Sequence, residues 1–242
     1  MAIKRYYATK DNTITNAFKA NLNTRGVSGN MGQSDIIEVF SIYGQVSSSD
    51  AGFSSELSRI LIEFNTNTIN TDRTAGAIPA SGNVDFFLKM YDAEHTQTTP
   101  KNYTLVVSAI SQSWEEGLGL DMEEYSDLDA SNWLSASQGT KWTKYGGASI
   151  AGGSYKTGSA GALTEYLFTQ SFDDGFENLE VNVSHLVEDW IKGPAAGGYT
   201  NYGFGIRLTG SDETEEDSYY TKMFFARGSQ FFHKRPVIEA RW

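Results

Sequence analysis

Five carboxylates stand close together in the stretch Asp121, Glu123, Glu124, Asp127 and Asp129. Side chains of this type are what a calcium ion needs, a hard cation that takes about 6–8 oxygen ligands. The EF-hand spacing with its fixed glycine is absent, so calcium is a candidate and a solvated acidic loop the commoner reading. Glu115 and Glu116 beside Trp114 have the residue types of a glycosidase acid and base, which must face each other across a cleft at about 5–10 Å. Adjacent residues on a strand point to opposite faces, and thirty acidic residues make some such pair inevitable. His95, His185 and His233 are far apart and lack metal-ligand spacing. Neither a G-x-S-x-G elbow nor a phosphate-cradling glycine loop occurs. The expectation is a protein without catalytic residues or a resident cofactor, calcium being the one candidate.

Aromatic residues offer a second chemistry. Trp133, Trp142, Tyr145, Tyr199 and Tyr202 could stack on sugar rings. Large aromatics more often serve the core, and the tryptophans are assigned there. Tyr145, Tyr199 and Tyr202 are kept as candidate glycan contacts, because a phenol sits readily at a rim.

The element that must position these groups is the stretch Ser113 to Gly147, which holds three of the five tryptophans. Loops beyond about 12–15 residues without structure of their own are uncommon in compact domains. This segment is therefore expected to leave a sheet edge, cross the surface and be tied down by Trp114, Trp133 and Trp142. The run Asp212, Glu213, Glu215, Glu216 and Asp217 is expected to be solvated.

Around that segment the chain alternates. Ile60, Ile62 and Phe64 share one face, with Arg59 and Glu63 on the other. Val84, Phe86, Leu88 and Met90 repeat the pattern, and so do Leu179, Val181 and Val183. Tyr202, Phe204, Ile206 and Leu208 follow, with Gly203, Gly205 and Arg207 outward. Period-2 alternation marks a sheet with one buried face. Ile3–Ala8 and Thr13–Phe18 read as two strands, Thr66–Asn83 as turn chemistry, and Gly146–Gly161 as a loop. Leu186, Val187, Trp190 and Ile191 fall at helical spacing, so a short helix over His185–Lys192, capped by Ser184, is expected to plug one end of the fold. Trp242 is placed in a buried edge. About eleven short strands and one helix make an all-β, antiparallel jelly-roll β-sandwich.

The chain has 242 residues and no cysteine, with a net charge of −11. No linker composition divides it, so residues 1–242 read as one domain large enough to bury a core without disulfides. Its acidity disfavours nucleic acid as a partner. Apolar runs are far shorter than the roughly 20 residues that span a bilayer, and no apolar stretch follows Lys4-Arg5, so neither a membrane partner nor a secretory signal is expected.

The order of pieces resembles the DNRLRE-type β-sandwich domain over nearly the whole chain. Arg59-Ile60-Leu61-Ile62-Glu63-Phe64 is similar to its "LLRFD" strand, and Trp114-Glu115-Glu116-Gly117 to its "W-x-E-G" turn. Asn132-Trp133, Gly139-Thr140-Lys141-Trp142 and Gly146-Gly147 resemble its central tryptophan segment. Val183 to Trp190 with Asn201-Tyr202-Gly203-Phe204 resembles "V-x-x-W … N-Y-G-F". Phe224 to Ser229 and Arg235-Pro236-Val237-Ile238-Glu239 resemble its closing strands. That family is best known on exported surface proteins. Without an export signal, the resemblance implies a virion structural protein of a tailed bacteriophage, made in the host cytoplasm. It would be a capsid decoration or cement, or a neck or tail component. It would touch other virion proteins and copies of itself, forming a homo-oligomer. The alternative it implies is a carbohydrate-binding or adhesion module directed at a host-surface glycan.

Overall fold

The computed structural model of the chain describes residues 1–43, 55–94, 100–144, 148–156, 166–215 and 219–242, and only the backbone of residues 43, 55 and 123–125. Its first strand, β1 (Ile3–Thr15), sets the architecture. Ile3–Tyr7 pair with the last strand of the chain, whereas Ala8–Thr15 pair with Ser58–Phe64, and the register shifts between Ala8 and Lys10. A bulge of this kind bends a strand and raises its twist. One continuous strand thus belongs to two layers, where the sequence reading had two strands. Thr9, Lys10 and Asp11 interrupt the apolar pattern because they sit at the bend.

The remaining strands are β2 (Gly29–Asn30), β3 (Ile36–Tyr43), β4 (Ser55–Phe64), β5 (Asp85–Met90), β6 (Tyr103–Ala109), β7 (Asp121–Ser126), β8 (Ser135–Ser137), β9 (Thr140–Lys141), β10 (Leu167–Phe172), β11 (Leu179–Asn182), β12 (Phe204–Leu208), β13 (Tyr220–Phe225) and β14 (Val237–Arg241). The main antiparallel sheet runs β10-β6-β12-β4-β1-β14-β5-β11, with β3 beside β4 and β13 beside β3. Folded at β1, it makes a sandwich that nearly closes. Its two end strands are joined through the Gln170 carboxamide, which donates to Asn178 O at 2.8 Å and accepts the Glu180 N–H at 2.7 Å.

The core lies between the layers. Ile60, Ile62 and Phe64 meet Phe86, Leu88 and Met90, Leu105 and Val107, Phe204, Ile206 and Leu208, and Ile238 and Ala240. The alternation read from the sequence is the alternation of this core, except that Tyr202, read as inward with Phe204, packs against a different cluster on the outer face. Helix α1 (Thr66–Thr74), helix α2 (Ser184–Lys192) and the short α3 (Gly210–Glu213) complete the described residues, with 3-10 turns at Pro194–Ala196 and Phe232–Lys234. Leu186, Val187 and Trp190 of α2 enter this core as expected, and Ile191 packs against it.

Several expectations are corrected. Helix α1 arises where turn chemistry was read. Asn65 caps it by accepting the Asn67 N–H, and only Thr66 and Ile69 of its residues are buried, so no apolar stripe announces it. A two-pronged Arg73–Glu188 pair ties it to α2 at 2.8 and 2.6 Å. Ser184 is the first residue of α2 rather than its cap, and its hydroxyl accepts the Phe86 N–H at 2.8 Å. Trp242 is exposed, and its backbone pairs with that of Ala2. Glu213, read as solvated, is buried, whereas Glu216 and Asp217 lie outside the described residues.

A second apolar cluster covers the outer face of β4 and β12. It contains Ile14, Leu61, Ile110, Trp114, Trp133, Ala136 and Trp142, with Tyr155 and Tyr202 packed against it. The outward face of β12 is therefore not open to water. Gly205 leaves the room that the Tyr155 ring takes, since a Cβ there would lie 2.1 Å from Cε1 of that ring. The tryptophan segment is tied down as expected, and it buries a sheet face rather than merely crossing it.

Candidate functional site

Four hydrogen bonds of one side chain, three of them to the tryptophan segment, hold that segment in place. Asn30 Nδ2 donates to the carbonyls of Glu116 and Ser131, both at 2.9 Å. Its Oδ1 accepts the N–H groups of Gly119 at 2.8 Å and Gly32 at 3.1 Å. Asn12 adds a bond from Nδ2 to Ser131 O at 2.9 Å and accepts the Met31 N–H at 2.8 Å. The indoles do the same from the other side: Trp114 Nε1 donates to Tyr202 O at 2.9 Å, and Trp142 Nε1 to Asn132 O at 2.8 Å. A buried amide that satisfies all its donors and acceptors fixes one arrangement of its neighbours.

The acidic stretch sits on this platform. Asp121, Glu123 and Glu124 belong to β7, which pairs with β2, and the side chains of Glu123 and Glu124 lie outside the described residues. Asp127 turns its carboxylate on the loop itself, accepting the N–H groups of Leu118 at 3.2 Å and Asp129 at 3.1 Å. Asp129 is exposed. Among the described residues, no three acidic or histidine side chains converge as a cation site would require. What the platform presents instead is apolar. Leu118, Leu120 and Leu128 are 70 %, 64 % and 67 % exposed. Beside them a furrow of about 720 Å³ is lined by Glu115, Glu116, Leu118, Asp127 and Asp129 together with Lys10.

Glu116 is committed. Arg227 Nε and Nη2 donate to its two oxygens at 2.9 and 2.7 Å, and the Asp11 N–H reaches it at 2.8 Å. Glu115 is exposed, so the adjacent pair does not form a facing acid and base. Asp11 lies at the bend of β1 with one oxygen accepting the Arg227 N–H and the other without a partner. Burial pushes its carboxyl up to about 7; the Arg227 amide and guanidinium oppose that rise and the Glu116 charge adds to it.

The candidate glycan contacts divide. Tyr199 and Tyr202 come together at the far end of the segment, where they line a pocket of about 250 Å³ with Ile110, Ser111, Lys156 and Trp190. Tyr199 stands edge-on to Tyr166 with ring centroids 5.2 Å apart, and the Lys156 ammonium lies against its face. Tyr166 donates to Asp189 at 2.6 Å, as does Lys192 at 2.9 Å. Burial pushes the Asp189 carboxyl up, but these two donors hold it below the usual carboxylate range. Across the ridge of Trp190, Tyr199 and Thr200 a second pocket of about 420 Å³ is lined by Glu63, Asn65, Asn67 and Asn201. Tyr145 lies outside the described residues, as does His95. His185 stacks on Tyr166 at 5.4 Å and His233 is exposed in the last 3-10 turn, so neither faces the other.

Sequence reasoning missed Asn30 and Asp11, whose types are commonplace on a surface. It also passed over Phe231-Phe232-His233-Lys234-Arg235, two aromatics followed by three bases, although that pattern was visible. No family model matches the chain, and no curated protein matches it either.

Proposed function

We propose that the protein is a non-enzymatic structural component of a tailed-phage virion, a decoration or cement on the capsid or a part of the neck or tail. It acts through protein–protein contacts and is homo-oligomeric. The observation that carries this reading is the platform of the tryptophan segment, whose backbone Asn30 anchors at Glu116 and Gly119 while Leu118, Leu120 and Leu128 stand in the open. Exposed apolar groups on an anchored backbone mark sites of protein association, because less ordering cost remains to oppose contact. The resemblance of the residues to a surface β-sandwich family points to the same role. Mass spectrometry of purified particles tests it: many copies per particle are expected, and absence from intact particles overturns it.

A second reading has its own support. Tyr199 and Tyr202, chosen as candidate sugar contacts, share one pocket with Lys156. An adhesion module would use that pocket for a host-surface glycan. Glycan-array binding that is lost in Tyr199→Ala would favour it over the structural reading.

A further inference from the structure

The apolar platform has a counterpart on the same molecule. Phe231 and Phe232 are 45 % and 55 % exposed, and His233, Lys234 and Arg235 follow them directly. This corner is held by ring packing and a hydrogen bond. Phe232 packs on Tyr7 with ring centroids 4.4 Å apart and Phe231 on Phe225 at 5.6 Å. Lys234 Nζ lies 4.7 Å from the Phe225 ring centroid, and Arg235 Nε donates to Ser229 O at 2.8 Å. One surface is leucine with Glu115, Asp127 and Asp129; the other is phenylalanine with His233, Lys234 and Arg235.

The two surfaces are neighbours. Arg227, a few residues before Phe231, is bound to Glu116, just before Leu118. Gln33 Nε2 donates to Gly117 O at 3.2 Å, and the next residue, Ser34, lies against Gly228. Complementary surfaces lying side by side meet twice when two copies are related by a two-fold axis, each acidic leucine surface against the partner's basic aromatic one. Aromatic and arginine anchors with apolar neighbours and opposite charges are the composition of protein interfaces.

We propose that a second copy of this chain covers both surfaces, forming a two-fold dimer. The contact rests on the structural reading above for its role in the particle and adds to it where the copies meet. A chain with a charge of −11 repels its own kind, so association needs such a local match of charge.

Sedimentation velocity over a range of concentrations tests the contact. A concentration-dependent dimer is expected. Asp129→Lys alone and Lys234→Glu alone each raise its dissociation constant at least tenfold, because the axis repeats every change. The combined Asp129→Lys/Lys234→Glu chain recovers the dimer, with circular dichroism confirming that all variants fold. Leu128→Ser, which alters no charge, also weakens it. A monomer at every concentration overturns the proposal, as does a dimer indifferent to both charge reversals or a double variant that fails to recover. Finding the chain in particles although it is monomeric in solution would remove this contact and leave the structural reading standing; a dimer absent from particles would do the reverse.

Discussion

Arg59 Nε and Nη2 each donate a 2.8 Å hydrogen bond to a separate oxygen of Glu213, so that β4 and α3 are joined beneath the tryptophan segment. The same guanidinium donates from Nη1 to Gly152 O at 2.8 Å and lies 5.2 Å from the Trp133 ring centroid. Both partners are largely buried, with side chains 16 % and 10 % exposed. Removing one member strands the other's charge in the protein, which costs about 3 kcal/mol. Glu213→Ala should lower the urea midpoint accordingly. Arg59→Met/Glu213→Leu should lose less than the sum of the single changes, because the double change leaves no orphaned charge. Additive losses would show that the pair is not coupled.

Asp11 makes stability depend on pH. Its folded carboxyl titrates near 7, against 3.8 in the reference state. Between those values the folded chain binds the extra proton, so stability falls as pH rises, at up to roughly 1.4 kcal/mol per pH unit for this one group. Burial pushes Glu38 up to about 7 as well, and it contributes in the same window. Asp11→Asn keeps an acceptor for the Arg227 N–H and removes the ionisation. Chemical denaturation from pH 4 to 8 should show a shallower decline for this variant than for the parent, and a higher stability at pH 8. Identical slopes would mean that Asp11 is ionised throughout.

How much of this could be read beforehand depends on what a residue type implies. Ile60, Ile62, Phe204 and Ile206 have one energetically sensible place, so their spacing located β4 and β12 and the sandwich with them. Helix α1 was hidden because it buries only Thr66 and Ile69 and owes its start to an asparagine cap. Leu61 and Gly205 alternate out of the first core, and only the return of the tryptophan segment makes that face an interior. The candidate site was hardest. Asp11 and Glu213 look like any solvated carboxylate until their partners, more than a hundred residues away, are in place. Tyr199 and Tyr202 were chosen by type, and the chain brings them together through the turn after α2.

Trp142 should govern the covering segment rather than the whole sandwich. It is fully buried in the outer cluster, and its indole N–H holds Asn132 O. Trp142→Ala removes that bond and a large volume, a loss of about 3–5 kcal/mol. Trp142 belongs to the outer cluster and not to the inner core. Amide exchange should therefore rise first over residues 113–144, while β5, β11 and β14 keep their protection. A uniform rise across both groups would show that the two clusters unfold as one.

Asn30 offers the sharpest isosteric change. Both hydrogens of its amide face carbonyls, of Glu116 and Ser131, and its oxygen takes two N–H groups. Asn30→Asp keeps the shape and the acceptor but replaces two donors with an oxygen aimed at two other oxygens. The loss should be about 3 kcal/mol or more at neutral pH, since buried acceptors are left unsatisfied and a charge is added. The introduced carboxyl would have a raised folded-state pKa, so the folded form takes up a proton as pH falls and regains one donor. The gap to the parent should therefore narrow between pH 7 and pH 4. Because β2, the Gly119 turn and the Ser131 turn all hang on this side chain, the exposed leucines should lose their fixed positions at the same time. Dimer formation should then weaken in Asn30→Asp without any change to the surface residues themselves. A variant as stable as the parent at neutral pH would show that the four bonds do not carry the platform.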